Sequence, residues 1–462
     1  MVIGAGMAGM AAAIRLALFD RSTLLLERHN VPGGLNSYYA MEGRRFDVGL
    51  HAMTNYTPTG IRGAPLNKIF RQLRIDRDEF ALCEQNGSRI QFPDFDLRFA
   101  NDLEEFRAEV ERVFPHCRDG FARLLRTMDE FNSLAADVPD LSAREVLREH
   151  LAEPSLEDAL LCPLCFYGSA RENDMEFAQF VIMFNALFRE GFARPLEGVR
   201  PVIRALRDKY RALGGERRLK LGVKRIVADG GKVAHLELDD GQVIQADQVV
   251  STVGWVETQR LCSDRAPNAA EEEVGRLSFV ETITVTDLQP AEFGWDDTIV
   301  FFNDAERFAY EPPKDLVDLR SGVICFPNNY HYPEGETLAE GLLRITALAD
   351  FKGWTSLDEE VYLEKKAQWF DALRQVALRI LPGIDEARLD RHVLATDMFT
   401  PRTIRHFTGK LGGAVYGTPR KRRDGATHLG NLHLCGTDQG FLGIVGAMLS
   451  GISIVNQRIL SP

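Results

Sequence analysis

Met1-Val2-Ile3-Gly4-Ala5-Gly6-Met7-Ala8-Gly9 opens the chain, and a run rich in Ala and Leu, Met10 to Phe19, follows it. Three apolar residues enter a Gly-x-Gly-x-x-Gly turn that leads into a helical stretch, the order a dinucleotide requires. Gly4 permits the tight turn and Gly6 lets the backbone approach a pyrophosphate. Gly9 lets the helix pack close to the strand, which leaves the helix N-terminus aimed at the phosphates. A second apolar strand, Thr23 to Leu26, ends in Glu27-Arg28. A carboxylate about 20 residues past the glycines is placed to accept hydrogen bonds from an adenosine ribose. The glycine motif alone is a weak signal; with strand, helix and acid in place it predicts a Rossmann-like nucleotide site. Only three residues precede the turn, so either the first strand is short or the chain continues upstream.

Val31-Pro32-Gly33-Gly34 follows the acidic strand, and Phe46-Asp47-Val48-Gly49 comes after it. Here the stretch resembles the FAD-binding flavoproteins of the amine oxidase and phytoene desaturase superfamily, in which a Gly-Gly pair after the ribose carboxylate continues along the FAD. The resemblance implies FAD rather than a nicotinamide cofactor, held by Gly4, Gly6, Met7, Ala8, Gly9, Glu27, Arg28, Gly33 and Gly34. Many relatives carry a basic residue after the pair; this chain has Leu35, which removes a phosphate contact there.

The 462 residues suffice for two or three packed layers and two domains. A net charge of -12 argues against a nucleic-acid partner, which would demand a basic face. Arg420-Lys421-Arg422-Arg423 is the dense basic run, read as a solvated loop, with anionic lipid as the sharper alternative. Seven scattered cysteines argue against a disulfide framework and for a reducing compartment. Cys162-Pro163-Leu164-Cys165 lacks the second pair that a structural zinc needs, so buried thiols and no metal are expected. No apolar run reaches the roughly 20 residues of a membrane span. A cytoplasmic protein, with possible peripheral membrane contact, is the expectation.

From Leu66 to Gly198 the pattern turns helical: Leu103 to Phe114, Gly120 to Ala136 and Ala143 to Leu151 place apolar residues at helical spacing. Phe166, Tyr167, Phe177, Phe180, Phe184, Phe188 and Phe192, with Met175 and Met183, form an aromatic stripe that suits a core and would also line a cavity for a long apolar substrate. Val199 to Leu213 reads as a helix, and Lys220 to Val227, Lys232 to Leu238 and Gln242 to Ile244 as strands joined by Asp-Gly turns. Val249 to Thr252 reads as a buried strand. In the superfamily the valine of the first of these strands lies against the adenine, and Val223 is the match. Residues 280 to 350 alternate as an antiparallel sheet does, and Asp358 to Leu381 reads as a helix. The fold expected is α/β: an FAD-binding Rossmann-like domain from 1-65, 199-265 and 395-462, with a helical insertion at 66-198 and a sheet-based substrate domain at 266-394.

The C-terminal stretch returns to the cofactor. Leu432 to Cys435 is a strand, Gly436-Thr437-Asp438 a turn, and the helix starting Gly443-Ile444-Val445 carries small residues at Gly443, Gly446, Ala447, Ser450 and Gly451 on one face. Its N-terminus would stabilise negative charge on a reduced flavin. In the resemblance Asp438 bonds the ribityl chain, beside Gly436. Together with Thr400-Pro401-Arg402-Thr403 and Gly412-Gly413-Ala414-Val415-Tyr416-Gly417, this stretch resembles the phytoene desaturase, carotenoid isomerase and retinol saturase group over nearly the whole chain. It implies a flavin enzyme that desaturates, saturates or isomerises carbon-carbon bonds of a long isoprenoid. Gly49-Leu50-His51 looks more like the saturase branch. No nucleophile motif, HExxH or P-loop is present, so acid or base help rests on His51, with Tyr416 as a second candidate. Two alternatives share the fold: a flavin amine oxidase or protoporphyrinogen-oxidase-like enzyme, and a prenyl-binding escort protein without activity.

Overall fold

Five short parallel strands form the sheet predicted from the glycine motif, in the order Leu432–Leu434, Val249–Ser251, Val2–Ile3, Leu24–Leu26, Glu216–Arg218. The first strand is two residues long and central in this sheet, which the crossover helix Met7–Ala17 covers. That helix starts three residues earlier than its apolar run suggests, because Gly6 is its N-cap and the glycine turn feeds straight into it. The computed structural model describes residues 1–462 apart from Leu50, Arg62, Ala136 and Pro462. The end expected at Ala136 for the helix from Gly120 therefore lies outside the described residues; the helix observed spans Arg118–Glu130.

Small residues set how closely the layers meet. The helix Gly443–Ile454 lies on Met7–Ala17, and a Cβ built on Gly451 would stand 2.2 Å from the Ala8 carbonyl oxygen. Gly9 is tighter still, with 1.9 Å to the Gly4 carbonyl oxygen. From Gly443 to Leu460 the helix is 18 residues long and apolar enough, by length and composition, to cross a membrane, longer than the sequence reading allowed. Half of that stretch is buried inside the protein, with Ile444, Val445, Met448 and Ile452 in the core shared with the first helix.

The second sheet has seven strands in the order Val393–Phe399, Ser278–Thr286, Gly341–Ala349, Ser321–Cys325, Ile299–Asn303, Ser88–Gln91, Asp96–Phe99. All neighbours are antiparallel except Ser88–Gln91 with Ile299–Asn303. The last two strands lie within the stretch expected to be helical; at four residues each they are too short to interrupt the surrounding helical period. Successive residues of a strand face opposite sides. Thus Val280, Phe302, Ile324 and Ile345 pack under Trp354 and the helix Glu359–Ile380, whereas Phe279, Phe301, Val323 and Leu348 meet the helical insertion. Both faces are covered, which is why these strands read as almost continuous apolar runs.

The helices Pro154–Gly168 and Phe177–Phe184 carry the aromatic stripe. Phe177, Phe180, Phe184, Phe188 and Phe192 are fully buried core residues. Phe106 stacks on Phe188 with ring centroids 4.2 Å apart, a contact that adds about 0.5–1.5 kcal/mol beyond the buried area. Cys162 and Cys165 are buried thiols, and burial raises both above the ordinary thiol range.

Candidate functional site

A cavity of about 440 Å³ runs between the two sheets. One wall is the nucleotide motif: Gly4, Gly6, Met7, Ala8, Glu27, Arg28, Gly33, Gly34 and Val223 line it, as do Gly436, Gly443 and Ile444 from the C-terminal stretch. The remaining wall is largely apolar, from Ala52, Phe166, Tyr167, Met183, Phe279, Val280, Val323, Val415 and Leu442, with His51, Glu281 and Thr346 among them.

The first wall suits an anionic dinucleotide. A Cβ on Gly6 would meet nothing within 4 Å, so the backbone there borders open space, while Gly4 and Gly33 hold φ of +95° and +118°, values side chains rarely adopt. The helices Met7–Ala17 and Gly443–Ile454 both open onto the cavity and neither has a side-chain cap, leaving first-turn N–H groups and the positive dipole ends for a ligand. Glu27 accepts from Ala5 N–H and His29 N–H, each at 2.8 Å, one per carboxylate oxygen, which ties the glycine turn to the second strand. A carboxylate has lone pairs beyond these two for a ribose. Glu257 and Lys410, also in the lining, pair at 3.7 Å; the sequence reading missed both, as it did Gly222, Thr54 and Thr437.

Three predicted contacts fall elsewhere. Asp438 is buried away from this cavity: one carboxylate oxygen accepts from Thr418 N–H at 2.8 Å and the other from Trp255 N–H at 2.5 Å. The turn therefore presents Thr437, not Asp438, to the cavity. Val445 lies in the core beneath the helix, and Gly9 serves close packing alone. The basic run is no solvated loop either. Arg422 pairs with Glu273, Arg423 with Glu176 at 2.8 Å, and the Lys421 ammonium donates to Tyr416 O at 2.6 Å.

His51 and Tyr416 both line the cavity, but their polar atoms differ in use. The Tyr416 hydroxyl donates to the carbonyl of Phe166, and burial raises its pKa, so the proton is committed and the ring packs on Phe279. His51 Nε2 stands 3.0 Å from Glu281 Oε2 and 3.1 Å from Thr346 Oγ1. Leu50 of the Gly49-Leu50-His51 motif lies outside the described residues. Burial alone would raise the Glu281 carboxyl; the Arg344 guanidinium and His51 outweigh it and hold it below its usual range. Glu281 and Arg344 were also missed. Their signal is a lone charge inside an apolar strand, Phe279-Val280-Glu281 and Leu342-Leu343-Arg344-Ile345.

A metal-type cluster absent from the sequence reading also forms: ligand atoms of Cys262, Asp264 and His428 lie within 4.8 Å of one another. His428 already pairs with Asp264 at 3.1 Å, and burial pushes the Cys262 thiol up to about 11, against thiolate formation.

The family model of flavin-containing amine oxidoreductases matches residues 7–457. The chain is 24% identical over 471 residues to the chloroplastic prolycopene isomerase of Arabidopsis thaliana, covering 91% of this chain and 75% of that one. It is 27% identical over 290 residues to the lycopene-forming phytoene desaturase of Pseudescherichia vulneris, 56% of each. Among solved structures it resembles an oxidoreductase from Methanosarcina mazei, with TM-score 0.68, 16% identity and 99% of each chain covered. A triple mutant of putrescine oxidase gives TM-score 0.64 at 15% identity, covering 99% of this chain and 98% of that one.

Proposed function

We propose, from the premise that the chain belongs to the flavin-containing amine oxidoreductase family and is an FAD-dependent oxidoreductase, that it acts on carbon-carbon bonds of a long apolar isoprenoid such as a carotenoid. The observation that carries the reading is the apolar second wall, continuous with the dinucleotide wall and built from Phe166, Tyr167, Met183, Phe279 and Leu442. The carotenoid-acting relatives support it.

FAD, when bound, supplies hydride chemistry at its ring system. The chain's own residues hold and orient. The glycine turn, Glu27 and the two uncapped helix N-termini would hold the cofactor's phosphates and ribose, and the aromatic wall would align the polyene and exclude water. His51, a titratable group on the apolar side whose described contacts leave Nδ1 for a proton, would exchange it with the substrate. Tyr416 is left to packing.

Amine oxidation is the second reading, favoured by the putrescine oxidase likeness in fold. The charges weigh against it. A carboxylate without a partner cation would favour a cationic amine, and Glu281 and Glu257 in the lining are paired with Arg344 and Lys410. Anaerobic incubation of the FAD-loaded protein with a panel of acyclic polyenes, in one arm with the flavin oxidised and in the other with it reduced by dithionite, tests the proposal through product mass and retention. Loss or gain of two hydrogens, or unchanged mass with altered retention, supports it. Recovery of every polyene unchanged opposes it.

A further inference from the structure

The segment that carries His51 is held from the sheet behind it. Arg344 Nη2 donates to the carbonyl oxygens of Asp47 at 2.9 Å and Val48 at 3.0 Å, and the Tyr330 hydroxyl donates to the His51 carbonyl at 3.1 Å. The register of Ser278–Thr286 with Gly341–Ala349 sets Glu281 directly opposite Thr346. Arg344, two residues before Thr346, shares that face. One face of two neighbouring strands thus brings a carboxylate and a hydroxyl to the cavity wall, with the Arg344 guanidinium beside the carboxylate, on a face where Phe279, Val323 and Leu348 are apolar.

This arrangement is expensive unless it is used. An anion taken out of water carries a large desolvation penalty, which only a close cation and good hydrogen bonds offset. Arg344 meets one Glu281 oxygen, Oε1. The other, Oε2, faces His51 Nε2. The described partners of the imidazole side chain, Glu281 and Thr346, both converge on that one nitrogen. A carboxylate facing one ring nitrogen fixes the tautomer of the ring, because it can only accept.

We propose that Glu281 is the positioning residue for His51: it accepts the proton on Nε2, locks the neutral imidazole as the Nε2–H tautomer, and leaves Nδ1 as the proton-accepting nitrogen. This rests on the reading of His51 as the group that exchanges a proton with the substrate. Arg344 keeps Glu281 anionic and, through Asp47 O and Val48 O, keeps the His51 segment in register with it. The other titratable groups around the imidazole are Tyr167 from the helix Pro154–Gly168, its ring centroid 6.5 Å away, and Tyr330 from the loop. The buried Asp47–Arg194 pair stands behind them as a second, self-compensated charge couple.

The test is ¹⁵N NMR of the FAD-loaded full chain labelled at histidine, with the His51 signal assigned by its loss in His51→Gln. In the wild type the neutral His51 ring is expected as the Nε2–H tautomer. In Glu281→Gln that tautomer preference should weaken, because an amide can donate to the ring nitrogen as well as accept from it. Glu281→Asp, which can only accept, should restore it. A purely structural Glu281 would lower the melting temperature and leave the tautomer unchanged, which overturns the proposal. If Glu281→Gln does not fold, the wild-type spectrum decides alone, and an Nδ1–H tautomer overturns it. Because no substrate enters this experiment, inert polyenes would sink the functional reading while the NMR result still judges Glu281.

Discussion

His51→Gln keeps the size of the side chain and one hydrogen bond to Glu281, so it separates chemistry from packing. FAD content and melting temperature should hold, and single-turnover conversion of a polyene should slow about 100-fold or more. Full turnover in the variant would remove His51 from the reaction. Glu27→Gln turns one acceptor of the pair that holds Ala5 N–H and His29 N–H into a donor. FAD binding should weaken by about 1–3 kcal/mol, read from cofactor dissociation during dilution; unchanged retention would mean that Glu27 does not bear on the cofactor. Lys421 gives a pH signature. Burial pushes its ammonium down to about 8 from an ordinary 10.5, although neighbouring Asp438 opposes the shift. Above about pH 8 the folded chain has released a proton that the unfolded chain keeps, so this group's contribution rises with pH; below pH 8 the cost of burying the ammonium is fully present. Relative to Lys421→Met, wild-type stability should gain about 1.5 kcal/mol between about pH 8 and 9.5. A parallel pH dependence in the two proteins would contradict the buried charge. At this scale the glycines and Glu27 were legible because their order along the chain is itself the signal. Glu281 and Arg344 were not, because their meaning lies in the pairing of two strands whose contact residues are 63 apart in sequence.

Elements show where close approach is compulsory. A methyl group at Gly451 would stand 2.2 Å from the Ala8 carbonyl oxygen, so the helix Gly443–Ile454 must shift outward to accept it. Gly451→Ala should lower stability by about 1–3 kcal/mol and weaken FAD retention together, because the same helix brings Gly443 and Ile444 to the cavity. A wild-type melting temperature in this variant would show that the two helices are not in tight contact. The small-residue face of this helix was readable from spacing, as were Ala143–Leu151 and Lys232–Leu238, whose bounds the structure repeats. The turn before the helix was harder. Whether residue 437 or 438 faces the cofactor depends on backbone torsions, here Gly436 at φ +100°, and a one-residue difference sends Asp438 to Trp255 and Thr418 instead. The strands at Ser88–Gln91 and Asp96–Phe99 were hidden by their shortness and by the helices that follow.

The whole molecule places the glycine-motif wall on one side of the 440 Å³ cavity and an apolar wall on the other. The first wall comes from segments near both ends of the chain with Val223 between them, and the second draws Phe166, Tyr167 and Met183 from the helical insertion, Phe279, Val280 and Val323 from the seven-stranded sheet, and Ala52, Val415 and Leu442 from the flanking segments. That the glycine-motif segments would share one wall was legible because they carry a motif. The meeting of aromatic stripe and sheet was not, since the same stripe also makes the core, and only Phe166, Tyr167 and Met183 of it reach the cavity.

One head-to-head assay tests the central claim most directly: the FAD-loaded protein is given an acyclic polyene anaerobically, with its flavin oxidised or dithionite-reduced, and, separately, an aliphatic diamine in air. The account predicts a polyene product changed by two hydrogens or in retention, with no peroxide formed from the diamine. Peroxide from the diamine with the polyene recovered intact would contradict it.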